Sequence, residues 1–296
     1  MEYAAGIDLG GSSVKAIAVT PEGRLLQDTN VPFDPGVHMD WGEKIRGIIA
    51  EFTSTHDGAP SHIGLSAPGL AATDHSTIVN MPGRLEGLVG LDWQDYLQHT
   101  KRVPVLNDAH SALLGEAWLG AGKGQKHLVM LTLGTGVGGA ALVDGKLLMG
   151  RSGRAGHFGH ASLDPDGEPD ICGCPGSLEV QMGTCTVNKR SGGRFKNTKE
   201  LVDAAQSGDE EAMKVWMKSL RALAAGITSF INITDPDAVI IGGGVARAGD
   251  ALFQPVRKLV DEMEWRPTGY ATKIVPAEMG EFAGAYGAAK LALDLG

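Results

Sequence analysis

One repeated pattern decides the fold: it occurs first as Leu9-Gly-Gly-Ser-Ser-Val-Lys-Ala-Ile-Ala-Val-Thr-Pro-Glu-Gly-Arg-Leu25 and again as Leu133-Gly-Thr-Gly-Val-Gly-Gly-Ala-Ala-Leu-Val-Asp-Gly-Lys-Leu147. Each copy reads as a buried strand, a glycine-rich turn, a second strand, an x-Gly turn and a third strand. Two copies of one supersecondary unit predict two similarly built halves.

Helical patterns alternate with short apolar runs outside these copies. Apolar residues at helical spacing predict an amphipathic helix over Glu43–Phe52, and a strand at 103–106 precedes a predicted helix over His110–Leu119. A buried strand at 238–241 and a closing helix over Glu281–Leu293 end the pattern. The sequence therefore predicts an α/β protein whose sheets are largely covered.

The composition excludes several classes of protein. The 296 residues include 43 glycines, about twice the roughly 21 that average usage would give, and they lie in bunches rather than at a collagen period. The net charge of −9 argues against a nucleic-acid partner. With no apolar run of membrane-spanning length and no signal peptide, we expect a cytoplasmic protein without a membrane partner. Three cysteines, two of them in one C-x-C, suit reduced thiols or a metal.

The glycine-rich turns are candidate phosphate sites, because crowded backbone amides attract anions. The match Gly134-x-Gly136-x-x-Gly139 has the letters of a dinucleotide fingerprint, but a strand follows it rather than the required helix. No P-loop motif is present. Asp8 stands just before the first turn, where a carboxylate could hold Mg²⁺ through water.

Motifs along the whole chain resemble those of the ROK family of repressors, open reading frames of unknown role and sugar kinases. The motifs are Asp8-Leu-Gly-Gly-Ser-Ser with Lys15, Ala67-Pro-Gly69, Asn80-Met-Pro-Gly83, Asn107-Asp-Ala109, Leu133-Gly-Thr-Gly-Val-Gly-Gly139, Gly156-x-x-Gly-His160, Cys172-Gly-Cys174 with Leu178-Glu179, and Ile241-Gly-Gly-Gly-Val245. The resemblance implies two RNase-H-like domains of the actin-like ATPase fold that flank an active-site cleft. We expect residues 1–107, with the C-terminal helix 283–296, to form the smaller domain and residues 108–282 the larger one.

The resemblance also assigns roles to individual residues. It implies that Asp108 is the general base, which accepts the proton of a sugar hydroxyl. ATP and its phosphates are expected at Asp8, Gly10, Gly11, Ser12, Ser13, Lys15, Gly134, Thr135, Gly136, Gly243 and Gly244. The sugar is expected at Gly69, Asn80, Gly83, Asn107, Asp108, His157, His160 and Glu179. For Asp108, the alternative is a helix cap without a catalytic role.

Two positions depart from the family pattern. Relatives usually have E-x-G-H where this chain has His157-Phe-Gly-His160, so an imidazole with one donor and one acceptor replaces a carboxylate. The cysteine motif is shortened, and Ser177 replaces its third cysteine. His160, Cys172 and Cys174 supply three of the four ligands that structural Zn²⁺ needs, and Cys185 or His157 could complete the set. The alternative is a loop held by packing and hydrogen bonds alone.

The resemblance favours a transferase, namely an ATP- and Mg²⁺-dependent kinase acting on a hexose or an N-acetylhexosamine. Regulators of the family carry a DNA-binding domain before the Asp-x-Gly-Gly loop, whereas seven residues precede Asp8 here. A non-catalytic sugar-binding or regulatory protein remains an alternative because of His157. Polyphosphate is an alternative donor, and a homodimer is a candidate assembly. The expected partners are therefore a small sugar and a nucleotide.

Overall fold

The computed structural model describes residues 2–81, 83 and 85–296. The strands among them are β1 (Ala4–Leu9), β2 (Ser13–Val19), β3 (Leu25–Pro32), β4 (His62–Ala67), β5 (Leu70–Ala71), β6 (Ile78–Asn80), β7 (Val105–Asn107), β8 (Leu128–Leu133), β9 (Val137–Val143), β10 (Lys146–Leu147), β11 (Ala238–Gly242) and β12 (Lys273–Pro276). The helices are α1 (Asp40–Thr55), α2 (Trp93–Leu97), α3 (Asp108–Leu119), α4 (Leu178–Met182), α5 (Val187–Arg190), α6 (Thr198–Gln206), α7 (Glu210–Thr234), α8 (Asp250–Met263) and α9 (Ala283–Leu295). None of the helices in these ranges combines the length and the apolar character needed to cross a lipid bilayer.

The first compact unit comprises the chain up to Gly124, Met149–Ala155 and Glu278–Gly296. Its five-stranded sheet has the order β3-β2-β1-β4-β7. The pairs β1/β2 and β2/β3 are antiparallel, whereas β1/β4 and β4/β7 are parallel. Nearly all residues of β1 and β4 are buried, which explains why both read as continuous apolar runs rather than as alternating patterns.

Helix α9 packs on this sheet at very short range. A Cβ atom on Gly6 of β1 would overlap the backbone of Ala285, and one on Gly64 of β4 would overlap that of Ala288. Only glycine lets a helix backbone approach strands this closely.

Helix α3 also belongs to the first unit. A Cβ atom on Gly287 of α9 would overlap the carbonyl of Ser111 on α3, so the two helices are in direct backbone contact. The unit therefore continues to Gly124, whereas the sequence prediction divides the chain between residues 107 and 108.

Glu116 of α3 is a fully buried carboxylate in the same unit. It accepts backbone hydrogen bonds from Ala121, Glu278 and Met279 at 2.8 to 2.9 Å. Since these three N–H groups supply the hydrogen bonds that the buried carboxylate loses from water, Glu116 joins the end of α3 to the segment before α9.

The second compact unit comprises Gln125–Leu148 and Gly156–Ala277. Its sheet has the order β10-β9-β8-β11-β12, with β8/β9 and β9/β10 antiparallel and β8/β11 and β11/β12 parallel. This is the strand order of the first unit, three antiparallel strands followed by two parallel ones. The prediction of an α/β fold with two similarly built halves is confirmed.

Candidate active site

The turn between β1 and β2, residues Gly10–Ser12, is called the first hairpin loop. Gly10 N donates to Ser13 O at 2.9 Å, and Ser12 O accepts from Phe33 N at 3.0 Å. The N–H groups of Gly11 and Ser12 donate to no atom of the described residues. Gly11 also has open space where a Cβ atom would stand. Two consecutive free amides in an uncovered turn form a site that suits a phosphate oxygen.

Asp8 is the second-last residue of β1, and Leu9 separates it from this loop. Its Oδ1 accepts a hydrogen bond from Ser66 Oγ at 2.5 Å, and the strand register places it opposite Lys15 on β2. The pKa of Asp8 is raised to about 6, because burial and the nearby charge of Asp108 raise it more than the Ser66 hydroxyl and Lys15 lower it. A crowded carboxylate beside a second carboxylate suits Mg²⁺, which binds oxygen ligands and retains several waters.

Asp108 is the first residue of α3, and its side chain is accessible to solvent. Its Oδ1 accepts from Ala109 N at 2.8 Å. The surrounding protein atoms raise the pKa of Asp108 by desolvation, against the lowering effect of Ala109 N–H and the Asn107 side chain. An exposed carboxylate with a raised pKa suits a proton acceptor.

Asn107 is buried and largely occupied by structural contacts. Its Oδ1 caps α3 by accepting from Ala109 N at 3.0 Å and His110 N at 3.4 Å, while Nδ2 donates to Gly69 O at 2.9 Å. Asn107 therefore caps α3 next to Asp108 and contacts Gly69, so its amide is committed to structural contacts.

The other predicted sugar residues of the first unit lie near Gly69. A Cβ atom on Gly69, which has a φ of 103°, would stand 2.5 Å from Asn80 O. Asn80 is exposed at the end of β6, and Gly83 follows at a φ of 74°. Pro82 of the same motif lies outside the described residues. The structure thus brings together Gly69, Asn80 and Asn107, because Gly69 lies against the main chain of Asn80 and accepts a hydrogen bond from the Asn107 side chain.

The turn between β8 and β9, residues Gly134–Gly136, is called the second hairpin loop. Gly134 N donates to Gly136 O at 2.9 Å, and the N–H groups of Thr135 and Gly136 donate to no atom within residues 2–81, 83 and 85–296. Each copy of the repeated pattern therefore leaves two consecutive amides free at its turn. This shared geometry supports the phosphate interpretation of both loops.

Gly243 and Gly244 follow β11, which pairs with β8. A Cβ atom on Gly243, with a φ of 86°, would overlap the main chain of Leu133, the residue before the second hairpin loop. Gly244 has no atom within 4 Å of its Cβ position. The predicted adenosine glycines and the second hairpin loop thus meet at the carboxyl ends of neighbouring parallel strands, a common place for ligands in α/β sheets.

His157 precedes and His160 ends a 3-10 turn, Phe158–His160, that packs against β9. A Cβ atom on Gly159 would overlap Val137 O, so this turn lies on the strand that leaves the second hairpin loop. His160 Nδ1 is 2.8 Å from Asp170 Oδ2. The second unit thus holds His160 in a fixed orientation.

Asp170 was not among the residues that the sequence predicts. Its side chain is only 1% exposed, and its Oδ1 accepts from Cys172 N at 2.8 Å and from Cys174 N at 3.0 Å. Burial would raise the pKa of Asp170, but the bonds from His160 and the two cysteine amides hold it below its usual range. An aspartate two residues before the C-x-C motif is the signal that could have identified it.

The predicted zinc ligands are brought together only in part. His160 Nε2 lies 3.6 Å from Cys172 Sγ, close to the roughly 3.6 Å that separates two ligands on one tetrahedral zinc. In the described part of the chain, however, the donors close enough to share an ion are His160, Asp170 and Cys172. The amides of Cys172 and Cys174, not both thiols, converge at this point. These three donors alone fall short of the four ligands that structural Zn²⁺ needs.

Comparisons with known proteins agree over nearly the whole chain. The sequence pattern that defines the ROK family matches residues 4–295. A glucokinase of Thermotoga maritima is 33% identical over 97% of this chain and 96% of its own length. An N-acetylmannosamine kinase of Yersinia pseudotuberculosis is 29% identical over 96% of both chains. The crystal structure of a ROK family glucokinase from Streptomyces griseus in complex with glucose and AMPPNP superposes with a TM-score of 0.78 at 28% identity, covering 99% of both chains.

Proposed function

Since the chain belongs to the ROK family, we propose that it is an ATP-dependent sugar kinase that phosphorylates a hydroxyl group of a hexose or an N-acetylhexosamine. The observation that carries this proposal is Asp108, whose solvent-accessible carboxylate at the start of α3 has a raised pKa. The names and contents of the related proteins, a glucokinase with glucose and AMPPNP and an N-acetylmannosamine kinase, support ATP and these two classes of sugar.

In this mechanism Asp108 receives the proton of the acceptor hydroxyl. The hydroxyl oxygen forms a bond to the γ-phosphorus as the bond from that phosphorus to the β-phosphate oxygen of ATP breaks, which yields ADP and a sugar phosphate. The free amides of each hairpin loop hold phosphate oxygens, and Gly243 and Gly244 border the adenosine. Asp8 would hold Mg²⁺ through water; when bound, Mg²⁺ neutralises phosphate charge.

His157 is the predicted sugar residue at which this chain differs from the family pattern. His157 offers one donor and one acceptor where relatives offer a carboxylate with two acceptor oxygens. We therefore propose that the acceptor differs from that of the glucokinases in the hydroxyl or amide group that faces His157. A homodimer is the assembly we propose from the family resemblance, and light scattering of the purified protein measures it.

The test is ADP release across glucose, mannose, their amino sugars and their N-acetyl derivatives, with ATP or polyphosphate as donor. We expect Asp108→Asn to lower kcat by about 10²- to 10⁴-fold with little change in sugar KM. Asp57→Asn is the matched control, because Asp57 is exposed and has a φ of 54° that asparagine tolerates.

Two results would contradict the proposal. Turnover by Asp108→Asn at the wild-type rate would show that Asp108 is not the general base. Absence of turnover of every tested sugar by the wild-type protein would contradict the proposal of a sugar kinase. If a sugar nevertheless bound in calorimetry, the second candidate, a non-catalytic sugar-binding protein, would stand; the specific observation in its favour is His157.

A further inference from the structure

Glu179 lies against the second hairpin loop as well as in the predicted sugar motif. Its Oε2 accepts a hydrogen bond from Val137 N, directly after the loop, at 3.0 Å. A Cβ atom on Gly136 would overlap the same oxygen. Oε1 accepts no hydrogen bond from the described residues. One oxygen of this carboxylate is therefore engaged with the loop, and the other is open.

The residues that follow Glu179 hold the loop at two further points. Thr184 N donates to Gly134 O at 3.0 Å, and Cys185 N donates to Thr135 O at 2.9 Å. We call residues 179–185 the bracing segment. This segment donates to the carbonyls of Gly134 and Thr135, and Gly134 N donates to the third loop carbonyl, that of Gly136. The backbone groups of the loop without a partner among the described residues are therefore the N–H groups of Thr135 and Gly136.

Side chains that follow the bracing segment in sequence hold it in place through Gly183. Gly183 O accepts from Arg190 Nη2 at 2.9 Å and from Thr186 Oγ1 at 3.0 Å. Arg190 also donates to Thr186 Oγ1 and to Ser219 Oγ, and burial lowers its pKa to about 10. In the ranges that the structure describes, no carboxylate lies within ion-pair distance of Arg190, so its partners are the neutral oxygens of this anchor.

We propose that Glu179 is the positioning residue of the second hairpin loop, in addition to its expected contact with the sugar. Oε2 fixes the loop in the shape that turns the amides of Thr135 and Gly136 toward phosphate, while Oε1 is available to a sugar hydroxyl. One carboxylate then links nucleotide affinity to sugar affinity. The predicted effect of Glu179 on sugar affinity rests on the proposed function. Its predicted effect on nucleotide affinity can be measured without any turnover.

The test compares Glu179→Ala, Glu179→Gln and the control Glu168→Ala. Glu168 is an exposed carboxylate of the same unit, 3.1 Å from Lys189. AMPPNP binding is measured by calorimetry, and KM is measured for ATP and for the sugar. We expect Glu179→Ala to weaken AMPPNP binding about tenfold, because the loop loses a charge-assisted hydrogen bond. Glu179→Gln retains an acceptor for Val137 N and should restore AMPPNP binding to within about twofold of wild type, while its sugar KM rises.

Gly136→Ala provides a second route if Glu179→Ala does not fold. Its methyl group displaces the Glu179 carboxylate without removing it. We therefore expect weaker AMPPNP binding, and also a higher sugar KM, which a change confined to the phosphate loop would not produce. Wild-type AMPPNP affinity in Glu179→Ala, or in Gly136→Ala, would overturn the inference. A wild-type protein that binds AMPPNP but phosphorylates no sugar would contradict the proposed function alone.

Discussion

The substitution Asp8→Asn should stabilise the protein while it impairs the reaction. Asp8 has a pKa of about 6 in the folded protein, against a reference value of 3.8. The difference of about 2.2 units corresponds to about 3 kcal/mol by which ionised Asp8 disfavours the folded state at pH 7 and above. Asparagine removes this cost and still offers an oxygen to the Ser66 hydroxyl.

The sign of the pH dependence follows from the raised pKa. Between pH 3.8 and pH 6 the folded state binds the Asp8 proton more often than the unfolded state does, so this residue lowers the free energy of unfolding as pH rises. The gain from Asp8→Asn should therefore be near zero at pH 3, about 1.6 kcal/mol at pH 5 and about 3 kcal/mol at pH 8.

Urea unfolding of wild type, Asp8→Asn and the exposed control Asp57→Asn at pH 5 and pH 8 measures this gain. We expect the advantage of Asp8→Asn to grow by about 1.4 kcal/mol between the two pH values, and that of Asp57→Asn to stay constant. A pH-independent difference, or an Asp8→Asn protein less stable than wild type at pH 8, would refute the reasoning. The same variant should lose Mg²⁺-dependent ADP release, because an amide is a poorer ligand for Mg²⁺ than a carboxylate.

Two further substitutions test the buried carboxylates. Glu116→Ala leaves three partly buried N–H groups without their acceptor and should cost about 3 kcal/mol of the free energy of unfolding, whereas Glu116→Gln should cost less. Equal losses in urea unfolding would contradict this hydrogen-bond argument. Asp170→Asn should lower Tm, because Asp170 gathers His160 and the cysteine amides, whereas a chelator should leave the Tm of the wild type unchanged. Stoichiometric zinc in protein purified without chelator, with a chelator-dependent Tm, would show that the metal holds this segment.

The repeated sheet could be predicted because its signals are local. Each strand is a short apolar run, and each turn carries its own glycines, so neighbouring residues suffice to predict both hairpins. The predicted closing helix, Glu281–Leu293, lies within two residues of the observed α9 at each end for the same reason.

The contacts that complete the candidate site depend on distant parts of the chain. Glu179 meets Val137 across 42 residues, and Ser111 meets Gly284 across 173, so no window of sequence contains both partners. Asn107 shows a different difficulty. The same Asn-Asp pair predicts a sugar contact and a helix cap, and the structure shows the capping bonds.

The packing of α9 on β1 and β4 sets an order of events during synthesis. The sheet of the first unit is complete once residue 107 has emerged, but the helix that covers it begins at residue 283. At about 5 to 20 residues per second, the ribosome needs roughly 9 to 35 seconds to supply the 175 residues between them. During that interval the face of the sheet that α9 covers lacks this helix, so the first unit reaches its final packing only after the end of the chain has been made.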